Sequence, residues 1–242
     1  MRFAFRGACD VFERAKVFMK AKFPRAASAY RRVAGKRRAG RFTNARAEEV
    51  FTEIYRANSW KNAESASGRG STLERTRVIR AALPELLRET RANSLFDAAC
   101  GDFNWMREIN LRGIAYTGAD VVRQLVERNQ TLYGCEGRAF LFLDITRDQL
   151  PAADAILCRD CFIHLSFRDI RASVANFKRS GATFLLATTH ASVAENIDIT
   201  TGDWRSVNLL LPPFNFPAPQ RLVEEDAESG KSLGVWRLEE LP

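Results

Sequence analysis

From residue 94 onward the chain alternates short apolar runs with stretches of helical period. Runs at 94–98, 114–119, 139–143, 155–158 and 183–188 predict five strands. Between them, 103–109, 122–133 and 167–180 predict helices. Such alternation predicts a mostly parallel sheet with helices on both faces. Two further β-like segments, 221–224 and 232–238, fit an antiparallel hairpin at the sheet edge. Upstream the pattern is helical only. Over 45–58 it sets Val50, Phe51, Ile54 and Tyr55 on one face. Over 73–91 it runs through Val78, Ile79, Leu83, Leu86 and Leu87, with Pro84 predicting a break or the first turn of a second segment. The intervening 59–71, SWKNAESASGRGS, is too polar and glycine-rich for a core element. Residues 1–23 predict a helix with Phe5, Phe12, Ala15, Met19 and Phe23 on one face. Pro24 ends it, and 25–41 reads as a weak helix or linker. The chain thus divides into a helical arm (1–44), a helical lid or cap (45–93) and an α/β domain (94–242).

Composition changes the picture mainly through charge. The net charge of +8 is uneven: residues 1–48 hold fourteen Lys and Arg against three Asp and Glu, so the rest is slightly acidic. A uniformly basic domain would suggest nucleic acid. A basic arm on an acidic body suits a local contact with RNA, anionic lipid or a phosphorylated substrate. The arm reads either as an extension packing its aromatic stripe on the body or as a surface-seeking amphipathic helix. Five scattered cysteines do not form a disulfide framework and point to a reducing compartment. No apolar run reaches the eighteen residues of a membrane span, and residues 1–10 lack a secretory apolar region. The expected location is cytoplasmic, with the arm as a means of peripheral contact with the inner face of the membrane.

The chemistry sits at the strand ends. The first strand runs into Phe96-Asp97-Ala98-Ala99-Cys100-Gly101-Asp102-Phe103, an apolar strand, an acid and a glycine turn, which lets backbone approach a ligand closely. Here the chain resembles the class I S-adenosylmethionine-dependent methyltransferases. The resemblance implies a Rossmann-like, seven-stranded, mostly parallel sheet, with Asp97, Gly101 and Asp102 at the amino-acid end of the cofactor. Ala99 and Phe103 stand where the family often has glycine. Missing glycines and two acids disfavour a pyrophosphate and hence a dinucleotide oxidoreductase. The second strand ends at Asp120, nineteen positions after Gly101. An acid there accepts ribose hydroxyls, or caps a helix beginning at Val121. The resemblance further assigns Asp144 to the adenine amino group and Ile145 to the ring face.

The fourth strand leads into Cys158-Arg159-Asp160-Cys161-Phe162-Ile163-His164. In the family the methyl group meets its acceptor here, so Asp160 or His164 would orient or deprotonate the acceptor. His164 also reads as a helix-start residue packed on the sheet. Arg159, placed with the cofactor group, would pair with an acidic ligand or a neighbouring carboxylate. Cys158 and Cys161 lack further ligands and read as half-buried structural thiols, with no metal site expected. Trp60, in its glycine-rich loop, would cover the cofactor as part of a lid or simply anchor a solvent loop. Residues 196–216 follow the fifth strand, where Trp204, Arg205, Asn208 and Phe214 would line a selective acceptor pocket or pack a loop over the sheet edge.

Trp60 with S-x-S-G-x-G-S, then C-G-D-F-N-W-M and C-R-D-C, is similar to a bacterial methyltransferase group with relatives linked to surface-glycan biosynthesis. The resemblance implies methyl transfer from S-adenosylmethionine to O or N of a small-molecule or glycan-related acceptor. Two rivals remain: an RNA methyltransferase gripping through the arm, and a non-catalytic nucleotide- or partner-binding module.

Overall fold

The computed structural model describes Phe42 and residues 45–242. The expected arm over 1–44 otherwise lies outside the described residues. The strands are Ser94–Ala98 (β1), Ala115–Asp120 (β2), Arg138–Phe142 (β3), Ala155–Cys158 (β4), Phe184–His190 (β5), Arg221–Asp226 (β6) and Lys231–Arg237 (β7). They form one sheet in the order β3-β2-β1-β4-β5-β7-β6. The first five are parallel, and β7 runs antiparallel to both β5 and β6. The mostly parallel sheet ending in an antiparallel hairpin is the architecture that the apolar pattern predicts.

Strand residues alternate between two buried clusters because successive side chains leave a strand on opposite faces. Phe96, Ile156 and Leu185 enter one cluster, with Ile170, Val174 and Phe177 of helix α4 (Phe167–Arg179). Leu95, Leu157 and Leu186 enter the other, with Ile79, Leu83, Leu86 and Leu87 of helix α2 (Arg77–Glu89). Hence β1, β4 and β5 each carry consecutive apolar residues, Leu95-Phe96, Ile156-Leu157 and Leu185-Leu186. Ser166 caps α4, its hydroxyl accepting the Asp169 N–H at 3.2 Å. Helix α3 (Arg123–Tyr133) lies between β2 and β3, and α1 (Ala47–Arg56) buries Val50 and Ile54. No helix among the described residues is long and apolar enough to cross a membrane.

Two elements differ from expectation. Helix α2 passes through Pro84 without a break. Pro84 is on the exposed side, away from the sheet, while four buried apolar residues hold the helix on the sheet. The predicted helix over 103–109 is reduced to a single 3₁₀ turn, Met106–Glu108. Phe103 has φ 59° and packs within 5.2 Å of Tyr116, Tyr133 and Phe140, so its burial holds the backbone out of helical geometry.

Candidate functional site

The C-terminal ends of β1, β2 and β4 open onto one cavity of about 580 Å³. Neighbouring connections leave β1 and β4 in opposite directions, and ligands of open α/β sheets sit where that happens. Asp97, Gly101, Asp120, Asp144, Ile145, Arg159, Asp160, His164, Trp60 and Trp204 all line the cavity. Thus residues up to 144 positions apart in the chain line one cavity.

Asp120 organises the glycine turn. Its carboxylate accepts the Gly101 N–H at 3.1 Å and the Val122 N–H at 2.9 Å. Helix α3 begins two residues later than the expected cap position implies, at Arg123. Each carboxylate oxygen retains a lone pair for a ligand. Burial pushes Asp120 up to about 6 and, more strongly, Asp97 to about 7, although Asp97 accepts the Tyr116 hydroxyl at 2.6 Å. Buried acids held this high favour ligands that bring hydrogen-bond donors or positive charge and repel a pyrophosphate. Asp144 accepts the Thr146 N–H at 2.9 Å and hydroxyl at 2.7 Å, and pairs with Arg147 at 3.1 Å. Its neighbour Ile145 supplies an apolar surface on the cavity.

Asp102 does not line the cavity. Its carboxylate accepts the Ser65 hydroxyl at 3.0 Å, the Ala66 N–H at 2.7 Å and the Ser67 hydroxyl at 3.1 Å. Left-handed backbone at Gly101 (φ 56°) turns the two acids apart, so Asp102 anchors the 65–67 segment rather than a cofactor. The Asn104 amide adds bonds to Glu64 at 2.9 Å and the Ser71 carbonyl at 3.0 Å. Residues 64–71 therefore form a strap tied across the glycine turn. Gly68 in that strap has φ 90°, and a Cβ there would come within 3.1 Å of the Trp60 Cβ. The close approach seats the Trp60 ring 5.3 Å from the imidazole of His164.

Arg159 is an internal ion-pair partner, not a free cation. Its side chain is 2% exposed and meets Glu225, 1% exposed, at 2.6 Å. It also meets Asp160 at 3.2 Å and donates to the Gly70 carbonyl at 3.1 Å. Lys231 reaches Asp160 at 2.6 Å. Burial would raise Asp160, but Arg159 and Lys231 outweigh it and hold the carboxyl at about 2. Asp160 therefore stays an anion, and its backbone sits at a left-handed φ of 54°. Glu225 and Lys231 were not legible in the sequence. The ladder pairs Glu224 with Ser232 and Asp226 with Lys231, so Glu225 is a bulge residue turned into the core.

The Nδ1 of His164 lies 2.9 Å from the Asp203 carbonyl oxygen. A carbonyl only accepts, so Nδ1 carries the proton and Nε2 presents a lone pair. Burial lowers the imidazole pKa, leaving it neutral at pH 7.

The 196–216 segment divides. Trp204 is exposed and lines the cavity. Arg205, Asn208 and Phe214 do not line it. Arg205 donates to the Phe162 and Leu165 carbonyls at 2.5 and 2.6 Å. Asn208 bonds the Val193 carbonyl at 3.1 Å, and Phe214 packs edge-on against Phe167. Buried backbone carbonyls need partners, and these polar groups tie the segment to carbonyls of the neighbouring connections. Cys158 is buried and Cys161 half-buried, both as free thiols.

No protein-family model matches the sequence, and no curated protein matches it significantly. Solved structures do. The N-methyltransferase NodS from Bradyrhizobium japonicum WM9, in complex with S-adenosylhomocysteine, aligns at TM-score 0.55 and 14% identity over 76% of this chain and 97% of its own. A 1,6-didemethyltoxoflavin N1-methyltransferase from Burkholderia thailandensis, with 1,6-didemethyltoxoflavin and S-adenosylhomocysteine bound, aligns at TM-score 0.53 and 14% identity over 78% of this chain and 86% of its own. Magnesium protoporphyrin IX methyltransferase from Synechocystis PCC 6803, with S-adenosylmethionine bound, aligns at 0.51 and 13% over 79% and 97%. The likeness is one of fold: this chain has the Rossmann-like fold of class I methyltransferases.

Proposed function

We propose that the protein is an S-adenosylmethionine-dependent methyltransferase acting on a small-molecule acceptor. The observation that carries this reading is the convergence of Asp97, Asp120 and Asp144, from three successive strand ends, on one cavity that also holds a histidine with a free lone pair. The donor set fits the cofactor. Asp120 would accept ribose hydroxyls, Asp144 the adenine amino group beside Ile145, and Asp97 with the Gly101 turn the amino-acid end. When bound, the cofactor supplies a methyl group on a sulfonium centre, already an electrophile.

The chain's own groups then supply positioning and proton transfer. His164 Nε2 takes the acceptor proton. Asp160, held ionised, contributes negative charge beside the imidazole and steadies the imidazolium that forms. Lys231 and Arg159 fix that carboxylate in place. Trp60 and the 64–71 strap cover the cavity and limit water.

The test is thermal unfolding with and without S-adenosylhomocysteine. A ligand bound only by the folded state at 100 times its Kd stabilises by about 2.7 kcal/mol, so a clear rise in Tm is expected. An unchanged Tm at millimolar ligand contradicts the proposal.

A further inference from the structure

The acceptor end of the cavity combines a weak base with an aromatic wall. His164 Nδ1 is engaged by a backbone carbonyl, and no carboxylate among the described residues bonds its ring. Asp160, four positions earlier, is taken by Lys231 and Arg159. Burial outweighs the Asp203 carbonyl and the charge of nearby Asp160, which leaves the imidazole a weaker base than free histidine. Ordinary histidine lies roughly three to four pKa units below a phenolate and about nine below hydroxide, and burial sets His164 lower still. The first gap suits a hydroxyl on an aromatic ring; the second, of the size an alkyl alcohol presents, does not.

The walls point the same way. Phe51 and Tyr55 project from one face of α1, four residues apart, and line the cavity with Trp60, Trp204 and Leu165. Trp204 directly follows Asp203, whose carbonyl holds the imidazole. A sugar would need many hydrogen-bond partners. Of the charged groups that line the cavity, Arg159, Asp160, Glu225 and Lys231 are already bonded to one another. A flat ring needs only apolar faces and one polar contact.

We propose that the acceptor is a planar ring compound bearing an acidic ring hydroxyl, seated against the aromatic wall with that hydroxyl at Nε2 of His164. This rests on the methyl-transfer reading above. The hydroxyl oxygen uses a lone pair to form the new O–CH₃ bond while its proton passes to Nε2. The S–CH₃ bond of the donor breaks with its electron pair left on sulfur, and solvent later takes the proton from the imidazolium. Surface-glycan hydroxyls, which the sequence resemblance raised, are not the acceptors on this account.

The test uses the full chain saturated with S-adenosylhomocysteine and three calorimetric probes: naphthol, its methyl ether and methyl glucoside. Naphthol is expected to bind roughly fivefold tighter than the ether, the size of one hydrogen bond, and methyl glucoside not to bind. In His164→Ala the two naphthalenes should bind equally. Equal binding of both by the wild-type protein, no binding of naphthol, or binding of methyl glucoside overturns the proposal, and this comparison needs no variant. Failure of S-adenosylhomocysteine itself to bind counts against the methyl-transfer reading instead. Naphthol titrated on the free protein then still decides for or against the aromatic hydroxyl pocket.

Discussion

Replacing Glu225 with alanine strips Arg159 of its principal partner inside the protein. Arg159 is 2% exposed, so its charge is left with little solvent to replace the carboxylate. Breaking a buried pair by removing one member costs about 3–5 kcal/mol. Arg159 keeps Asp160 at 3.2 Å and the Gly70 carbonyl at 3.1 Å, which puts the cost near the lower end, about 3 kcal/mol. With a urea m-value of about 3 kcal/mol/M for a chain of this size, the unfolding midpoint should fall by about 1 M. Urea titration followed by circular dichroism and tryptophan fluorescence reads the shift. The double variant Arg159→Met/Glu225→Leu should regain most of it, because a buried ion pair replaced by apolar residues is often neutral or better. A midpoint for Glu225→Ala within about 0.2 M of wild type would refute the view that this pair is a buried support beneath the site.

Other perturbations test separate parts of the account. His164→Ala should cut turnover roughly 100-fold or more while leaving S-adenosylhomocysteine affinity unchanged; equal loss of both marks a structural histidine. Asp102→Ala should free the 64–71 strap, read as faster amide exchange at Ala66 and easier proteolysis within 64–71; unchanged exchange contradicts the anchoring role. The pH dependence has a definite sign. Asp97, at about 7 against an ordinary 3.8, and Asp120, at about 6, bind protons more tightly in the folded chain than unfolded. The stability they contribute is complete below about pH 4 and is lost as pH rises through 6 and 7. Asp97→Asn should therefore flatten the fall in urea midpoint of the free protein between about pH 4 and 7; an unaltered slope speaks against it.

The sheet was legible because its inner strands are buried on both faces, and burial writes itself as consecutive apolar residues such as Leu95-Phe96 and Ile156-Leu157. The acids at Asp97, Asp120 and Asp144 were legible for a related reason: each is the charged residue near the carboxyl end of an apolar strand run. What the pattern did not carry is direction. Asp97 and Asp102 flank one turn, and only the left-handed backbone of Gly101 and Phe103 decides which faces the cavity. Glu225 sits in the acidic run Glu224-Glu225-Asp226, and a bulge, invisible in residue type, selects the middle one for the core. Arg205 and Asn208 have the chemistry of a binding pocket, but backbone carbonyls of neighbouring connections consume it.

The measurement closest to the central claim is calorimetric titration of the full chain with S-adenosylhomocysteine, beside Asp120→Asn. The substitution keeps the side-chain size and the acceptor oxygen for one of its two backbone partners. Micromolar binding by the wild-type protein, weakened at least tenfold in a variant of unchanged circular dichroism, is the predicted result. No binding by the folded wild-type protein, or equal binding by both, would contradict the assignment of the strand-end acids to the cofactor.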